Sequence, residues 1–288
     1  MSDSTQTSAS SNSAANVPID PSKFKKENIR IEPCQWNTIG NSSQRYGRAK
    51  LKYVITGADG RQTTQDLVLR GPPMNTYGVG DNRDEKSKEV TGHSVCFNLP
   101  KGGSPFEKAV MDIHRACCEN IAQYAESFGL DSDKFKSWEA VDMILDCPAK
   151  HPKNKDTKRT DTSKPKRLYC KLIEYKGTET KPAKMVTVFD DGASFNPLTR
   201  RMERQLDPLT VRSSVEMIPS ILFDSIYFGS KPSLQVKLPR AAITRTMEQN
   251  TVAAADEDVG AYMMSLGISN VNSSDSSSHS TADPATLL

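Results

Sequence analysis

Residues 223–243 read FDSIYFGSKPSLQVKLPRAAI. Two runs that alternate apolar and polar residues flank a tight Gly-Ser-Lys-Pro corner. A period of two sends successive side chains to opposite faces of a strand. The corner folds one run back on the other, so the stretch is predicted to be an antiparallel hairpin with Leu234, Val236 and Leu238 toward a core. Tyr227 and Phe228 precede the corner, and Lys231, Lys237 and Arg240 lie in and after it. A role for that mixture of rings and cations has to be sought in the rest of the chain.

The same period recurs upstream. In RAKLKYVITGADGRQTTQDLVLR, Leu51, Tyr53 and Ile55 alternate with Lys50, Lys52 and Val54. Ala58-Asp59-Gly60 supplies a turn, and Leu67 and Leu69 resume on the other side. GPPMNTYGVGD is predicted to break the pattern, because Pro and Gly fit poorly in a central ladder. HSVCFNLP, LYCKLIEY and AKMVTVFDD read as further strands, and Pro219 predicts an edge or a kink in SVEMIPSILFDSIYFG. Between these strand-rich regions, residues 104–145 read as helical. Ser104, Pro105 and Glu107 form an N-terminal capping signature. Phe106, Val110, Ile113, Cys117, Ile121, Tyr124 and Phe128 follow as one apolar stripe, and Gly129 fits the C-terminal cap. A second helix is predicted over about 132–145, with Phe135, Trp138 and Val141 inward. HPKNKDTKRTDTSKPKR, residues 151–167, is rich in bases and reads as a solvated loop.

Hydrophobic residues make up 36% of the 288, low for a compact domain, and the deficit is uneven. The Ser/Asn/Ala-rich segment 1–24 and the acidic segment 247–288 are predicted to be disordered tails around a domain at 25–246. No base follows Arg245, whereas Glu248, Asp256, Glu257, Asp258, Asp275 and Asp283 do. Taking those six from the 35 acids leaves 38 bases against 29 acids, so residues 1–245 carry +9. A basic body suits an anionic partner. No apolar run approaches the ~20 residues that span a bilayer, and the N-terminus lacks a signal peptide's basic and apolar regions. A soluble intracellular protein without membrane partners is expected.

Enzyme signatures are missing: there is no GxxxxGK[ST], GxSxG or HExxH. Asp190-Asp191 could hold a metal for a nuclease, but VFDDGASF also reads as a strand-end turn. Cys147 and His151 stand four apart with no second pair at zinc spacing. The six cysteines contain no CxxC and are expected as buried thiols. No catalytic residue, metal or cofactor is therefore predicted.

What remains is aromatic and basic residues interleaved on strands. Arg45, Tyr46, Arg48, Lys50, Lys52 and Tyr53 form one cluster; Arg70 and Tyr77 a second; Tyr169, Lys171 and Tyr175 a third; Tyr227, Phe228, Lys231 and Lys237 a fourth. Single-stranded nucleic acid needs cations for its phosphates and rings for its bases, each stacked base being worth about 1–3 kcal/mol. Arg48, Lys50, Lys52, Arg70, Lys171, Lys231 and Lys237 are the candidate phosphate contacts. Tyr46, Tyr53, Tyr77, Tyr169, Tyr227 and Phe228 are the candidate stacking rings.

With LVLRGPPMNTYGVGD, SPFEKAVMDIHRACCENIAQY and SILFDSIYFGSKPSLQVKLPRAAI in this order, the chain resembles the single-stranded-DNA-binding proteins of nucleocytoplasmic large DNA viruses. The resemblance covers about residues 28–245. It implies an α+β fold, an OB-type antiparallel β-barrel with a packed α-helix, and a helical insertion at 104–145. It also implies sequence-tolerant binding of single-stranded DNA in viral replication, recombination or repair, in a cytoplasmic viral factory or the nucleus. The acidic tail is similar to those with which phage and bacterial binding proteins recruit replication partners, although this one ends PATLL rather than in an aromatic residue. The alternatives are a virion or scaffold protein whose basic body packs against genome, and a metal-dependent nuclease.

Overall fold

The computed structural model describes residues 17–38, 45–57, 59–178, 180, 182–196, 201–202 and 204–246. The acidic segment 247–288 and residues 1–16 lie outside the described residues. Along the chain the strands are β1 (Ile29–Ile31), β2 (Gln35–Thr38), β3 (Arg45–Thr56), β4 (Gln62–Asp66), β5 (Val68–Arg70), β6 (Met74–Arg83), β7 (Val90–Asn98), β8 (Ala149–Lys150), β9 (Arg167–Leu172), β10 (Glu174–Tyr175), β11 (Lys184–Met185), β12 (Val188–Asp191), β13 (Phe195–Asn196), β14 (Arg201–Met202), β15 (Gln205–Leu206), β16 (Val215–Phe228) and β17 (Pro232–Thr246). Two α-helices accompany them among the described residues: α1 (Pro105–Gln123) and α2 (Trp138–Asp142). The chain is thus mostly sheet with a small helical part.

The β16–β17 hairpin is the spine. The two strands pair antiparallel from Val215↔Thr246 to Phe228↔Pro232. The other edge of β16 takes three strands in succession: β6 at 215–217, β5 at 220–222 and β3 at 225–228. The other edge of β17 takes β9 and then β12, both parallel. Because β6 pairs β7 and β7 pairs β9, five strands close a ring of pairings, β16-β6-β7-β9-β17. Three register shifts in the hairpin, at Glu216/Met217, Ser220/Leu222 and Phe223/Ser225, give the bends that such closure needs.

The interior is filled by Leu51, Leu69, Val95, Phe97, Leu168, Phe223, Ile226 and Leu238, and α1 lays its apolar side on the same core. Ser104 caps α1 as its sequence predicts, its Oγ accepting from the Glu107 amide at 3.1 Å. Glu107 turns its carboxylate to Lys166 at 2.7 Å instead of back to the cap. Gly129, with φ +66°, caps the 3₁₀ turn Ala125–Phe128 that follows the helix.

Several expectations are corrected. MNTYGVGD does not break the sheet; it is β6, between β16 and β7. The glycine at 78 makes this possible. Its φ is +85°, it sits in a register shift between Thr76 and Val79, and a Cβ there would meet the Val211 carbonyl oxygen at 2.6 Å. Pro219 lies inside β16, paired with Ala241 between two register shifts, and not at an edge. Residues 17–24 are not part of a disordered tail: Ile19 is buried and bonds to β5 on both sides, its amide to Val68 O and its carbonyl to the Arg70 amide. Tyr124 is exposed, at the residue where α1 gives way to a 3₁₀ turn, while Phe128, the last of the expected stripe, is buried from that turn. The second helix is only five residues long, although its Val141 is buried as expected. Loop 151–167 is largely exposed and held by local turns, with Asn154 Oδ1 accepting from the amides of Asp156 and Thr157.

Candidate nucleic-acid interface

The parity of β3 sorts its side chains. Gly47, Ala49, Leu51 and Tyr53 are buried, while Tyr46, Arg48 and Lys50 lie on the outer face. The registers extend that face across three strands. Arg48 stands opposite Tyr227 and Lys50 opposite Ser225. Tyr227 stands opposite Ser233 and Ser225 opposite Gln235. Lys237 then pairs with Lys171 of β9. One outer surface thus gathers Tyr46, Arg48, Lys50, Tyr227, Lys171 and Lys237.

Two rings mark its centre. Tyr46 and Tyr227 stack with centroids 5.9 Å apart and planes 26° apart. The Tyr227 ring lies over Gly229, where a Cβ would meet it at 2.7 Å. Its hydroxyl is buried with no hydrogen-bond partner among the described residues. Burial pushes that hydroxyl's pKa up, with Tyr46 adding to the shift and Arg48 opposing it. Such an orphan polar atom calls for a partner, and beside Tyr46 and Arg48 an incoming polar ligand is a fitting one.

The cations on this face sense one another. Burial, Lys237 and then Arg48 pull the pKa of Lys171 down to about 8. Its Nζ donates to Gln235 Oε1 at 3.3 Å. Lys237 is held by Asp224 at 3.0 Å. Arg48 and Lys50 are exposed and have no ion pair among the described residues. An excess of positive charge on partly desolvated strands is an anion-binding arrangement.

The lowered pKa fixes a pH dependence. Because the folded pKa lies below the ordinary 10.5, the penalty for charging Lys171 is present in full below about pH 8 and is released as pH rises from 8 toward 10.5. Stability should rise over that window. Affinity for an anion should fall through pH 8, since binding must then return a proton to Lys171. Lys171→Met should flatten both profiles between pH 7 and 9, read by denaturant titration and by anion binding at constant salt.

The remaining candidates fall elsewhere. Tyr53 is a core ring, stacked on Phe24 at 5.6 Å with its hydroxyl accepting from the Lys25 amide at 2.9 Å. Phe228 is also buried, stacked on Phe128 at 4.8 Å and beside Trp36. Tyr169 is 7% exposed and sits opposite Cys96, and burial drives its hydroxyl well above the tyrosine range. These three rings are packed and cannot stack on bases. Lys52 shares the outer side of β3 but is held by Asp66 at 2.7 Å. Lys231 is exposed in the β16–β17 turn, at the end of the face. Arg70 is exposed on β5 opposite Ser220, midway along β16. Tyr77 is exposed on β6, whose Thr76 meets Val215 at the far end of β16 from Tyr227. Neither Arg70 nor Tyr77 joins the cluster.

Sequence reasoning missed Asp224 and Gln235, which set the positions of Lys237 and Lys171 across strands; only a correct register exposes them. Of the alternative chemistry, Asp190 is buried and takes the Arg240 guanidinium through both oxygens, at 2.9 Å for Nη2–Oδ1. Asp191 Oδ1 accepts from the Ala193 amide in the strand-end turn. Cys147 and His151 do not meet: Cys147 contacts Met111 and Ala149 O, and His151 bonds to Lys164 O. The six cysteines are free thiols, and Cys96, Cys117, Cys118 and Cys170 are buried. No helix among the described residues is long and apolar enough to cross a membrane.

No family model matches the chain, and neither a curated protein nor a solved structure matches it significantly.

Proposed function

We propose that this chain binds single-stranded DNA, without sequence preference, across the outer face of β3, β16, β17 and β9. The observation that carries the reading is the convergence of Arg48, Lys171 and Lys237 from three strands beside the stacked Tyr46–Tyr227 pair. Phosphates would lie along Arg48, Lys50, Lys171 and Lys237, and bases would stack on Tyr46 and Tyr227. Binding makes and breaks no covalent bond. The five-strand ring supports the finer reading of the fold as an OB-type barrel, an architecture that binds oligonucleotides on its sheet. The resemblance to the viral binding proteins supports a place in replication, recombination or repair of viral DNA, with the acidic segment 247–288 as the contact for replication partners.

The test is affinity for a ~30-mer at several salt concentrations, with duplex DNA and RNA alongside. Single strands give a log–log slope near −0.7 per neutralised phosphate. Counting Arg48, Lys50 and Lys171 alone, raising salt fourfold should weaken binding about 20-fold. Arg48→Ala should make the slope shallower by about 0.7. A flat response would remove the electrostatic basis, and equal affinity for duplex would favour the genome-packing alternative.

A further inference from the structure

We propose that His114, Cys118 and Asp142 form a site for a borderline transition metal such as zinc(II), tying α1 to the α2 segment. His114 and Cys118 are four residues apart on α1, one turn along the same side. Asp142 ends α2, which packs on α1. One donor atom from each of the three lies within 4.8 Å of the other two. Nitrogen, oxygen and sulfur ligands sit roughly 2.0–2.3 Å from tetrahedral zinc, so neighbouring donors are separated by about 3.3–3.7 Å. The His114 Nδ1–Asp142 Oδ1 distance of 3.5 Å is close to this, and Cys118 Sγ stands beside the same ring, 3.8 Å from Nε2.

The imidazole gives the stronger argument. His114 Nε2 lies 2.8 Å from the Leu145 carbonyl oxygen, which can only accept, so Nε2 carries the hydrogen. In the neutral ring the Nδ1 lone pair then faces the Asp142 carboxylate at 3.5 Å. Two acceptors so placed repel each other, and a cation between them turns that repulsion into attraction. A proton on Nδ1 would serve, and so would a metal ion. Holding the far nitrogen through a backbone carbonyl is how proteins orient metal-binding histidines.

Further donors stand close by. Cys147 Sγ is 3.6 Å from Met111 Sδ, and Met111 lies one turn before His114. Cys147 is near enough to act electrostatically on Cys118, and as a fourth ligand its thiol would complete an N, O, S, S set of the kind zinc takes. Asp142 is half-exposed and Met143 is 83% exposed, so an ion can reach the site from solvent. The thiols must lose their protons to ligate, so affinity should rise with pH. The inference is independent of nucleic-acid binding.

The experiment uses the full chain, stripped with a chelator and kept reduced, titrated first with zinc(II) and then with cobalt(II) as a coloured substitute. One equivalent should bind and raise the thermal midpoint, and cobalt should give the intense visible bands of a tetrahedral, thiolate-ligated ion. Asp142→Asn, at an exposed position, should keep the fold and lose the midpoint shift; Cys118→Ala should lose the thiolate band. No stoichiometric uptake would overturn the site. So would undiminished binding in both variants, which would place the metal elsewhere.

Discussion

Phe228→Ala should lower the stability of the fold by about 3–5 kcal/mol, the usual cost of deleting a buried ring, whereas Tyr227→Ala should cost only about 0.5–1.5 kcal/mol, the worth of its stacking on Tyr46. The two residues are adjacent in the chain and differ only in the side of β16 that they occupy. Phe228 is 3% exposed and stacks on Phe128, with the Trp36 ring tilted against it at 6.3 Å. Tyr227 lies on the outer face against Tyr46. Urea titration should show a lower midpoint with unchanged slope for Phe228→Ala. Tyr227→Ala should instead weaken oligonucleotide binding by about 1–3 kcal/mol, roughly 5- to 150-fold, in a folded protein. If Tyr227→Ala unfolds the chain while Phe228→Ala does not, the inner and outer faces have been assigned the wrong way round.

Arg240→Ala should cost about 3 kcal/mol, the low end for breaking a buried ion pair. The low end applies because the arginine side chain is 56% exposed while Asp190 is 3% exposed. Most of the loss comes from stranding the Asp190 carboxylate, which has no other side-chain partner among the described residues. The double variant Asp190→Ala/Arg240→Ala should therefore be more stable than Arg240→Ala alone, and a double-mutant cycle by denaturant titration measures the difference. Additive losses would mean that the pair contributes little.

The features legible in the sequence are those with local causes. The β16–β17 hairpin follows from alternation on both sides of one corner, and the α1 cap from Ser104, Pro105 and Glu107 within a single turn. The face of each ring was less legible, and β16 shows why. Val215, Met217, Pro219, Ile221 and Phe223 are buried at odd positions, but after the register shift at Phe223/Ser225, where Ser225 is itself buried, the buried apolar residues are Ile226 and Phe228. One extra residue reverses the parity, and nothing in SILFDSIYFG announces where it falls. In β3 the parity never shifts, so Tyr46 and Tyr53, seven residues apart, could not have shared a face. β6 was hidden for another reason: Gly78 is tolerated only because Val211 and its neighbours press against the bare backbone, a contact from far along the chain.

The ring of strands has a narrow seam. β9 and β17 meet over only two register pairs, Lys237↔Lys171 and Leu238↔Leu172. Two like-charged ammonium groups therefore face each other across its narrowest join, their repulsion offset in part by Asp224 beside Lys237. On the proposed reading, a phosphate lodged between them reverses that force and becomes a clasp. Gripping the ligand and closing the ring of strands would then be a single equilibrium, with the empty protein the looser state.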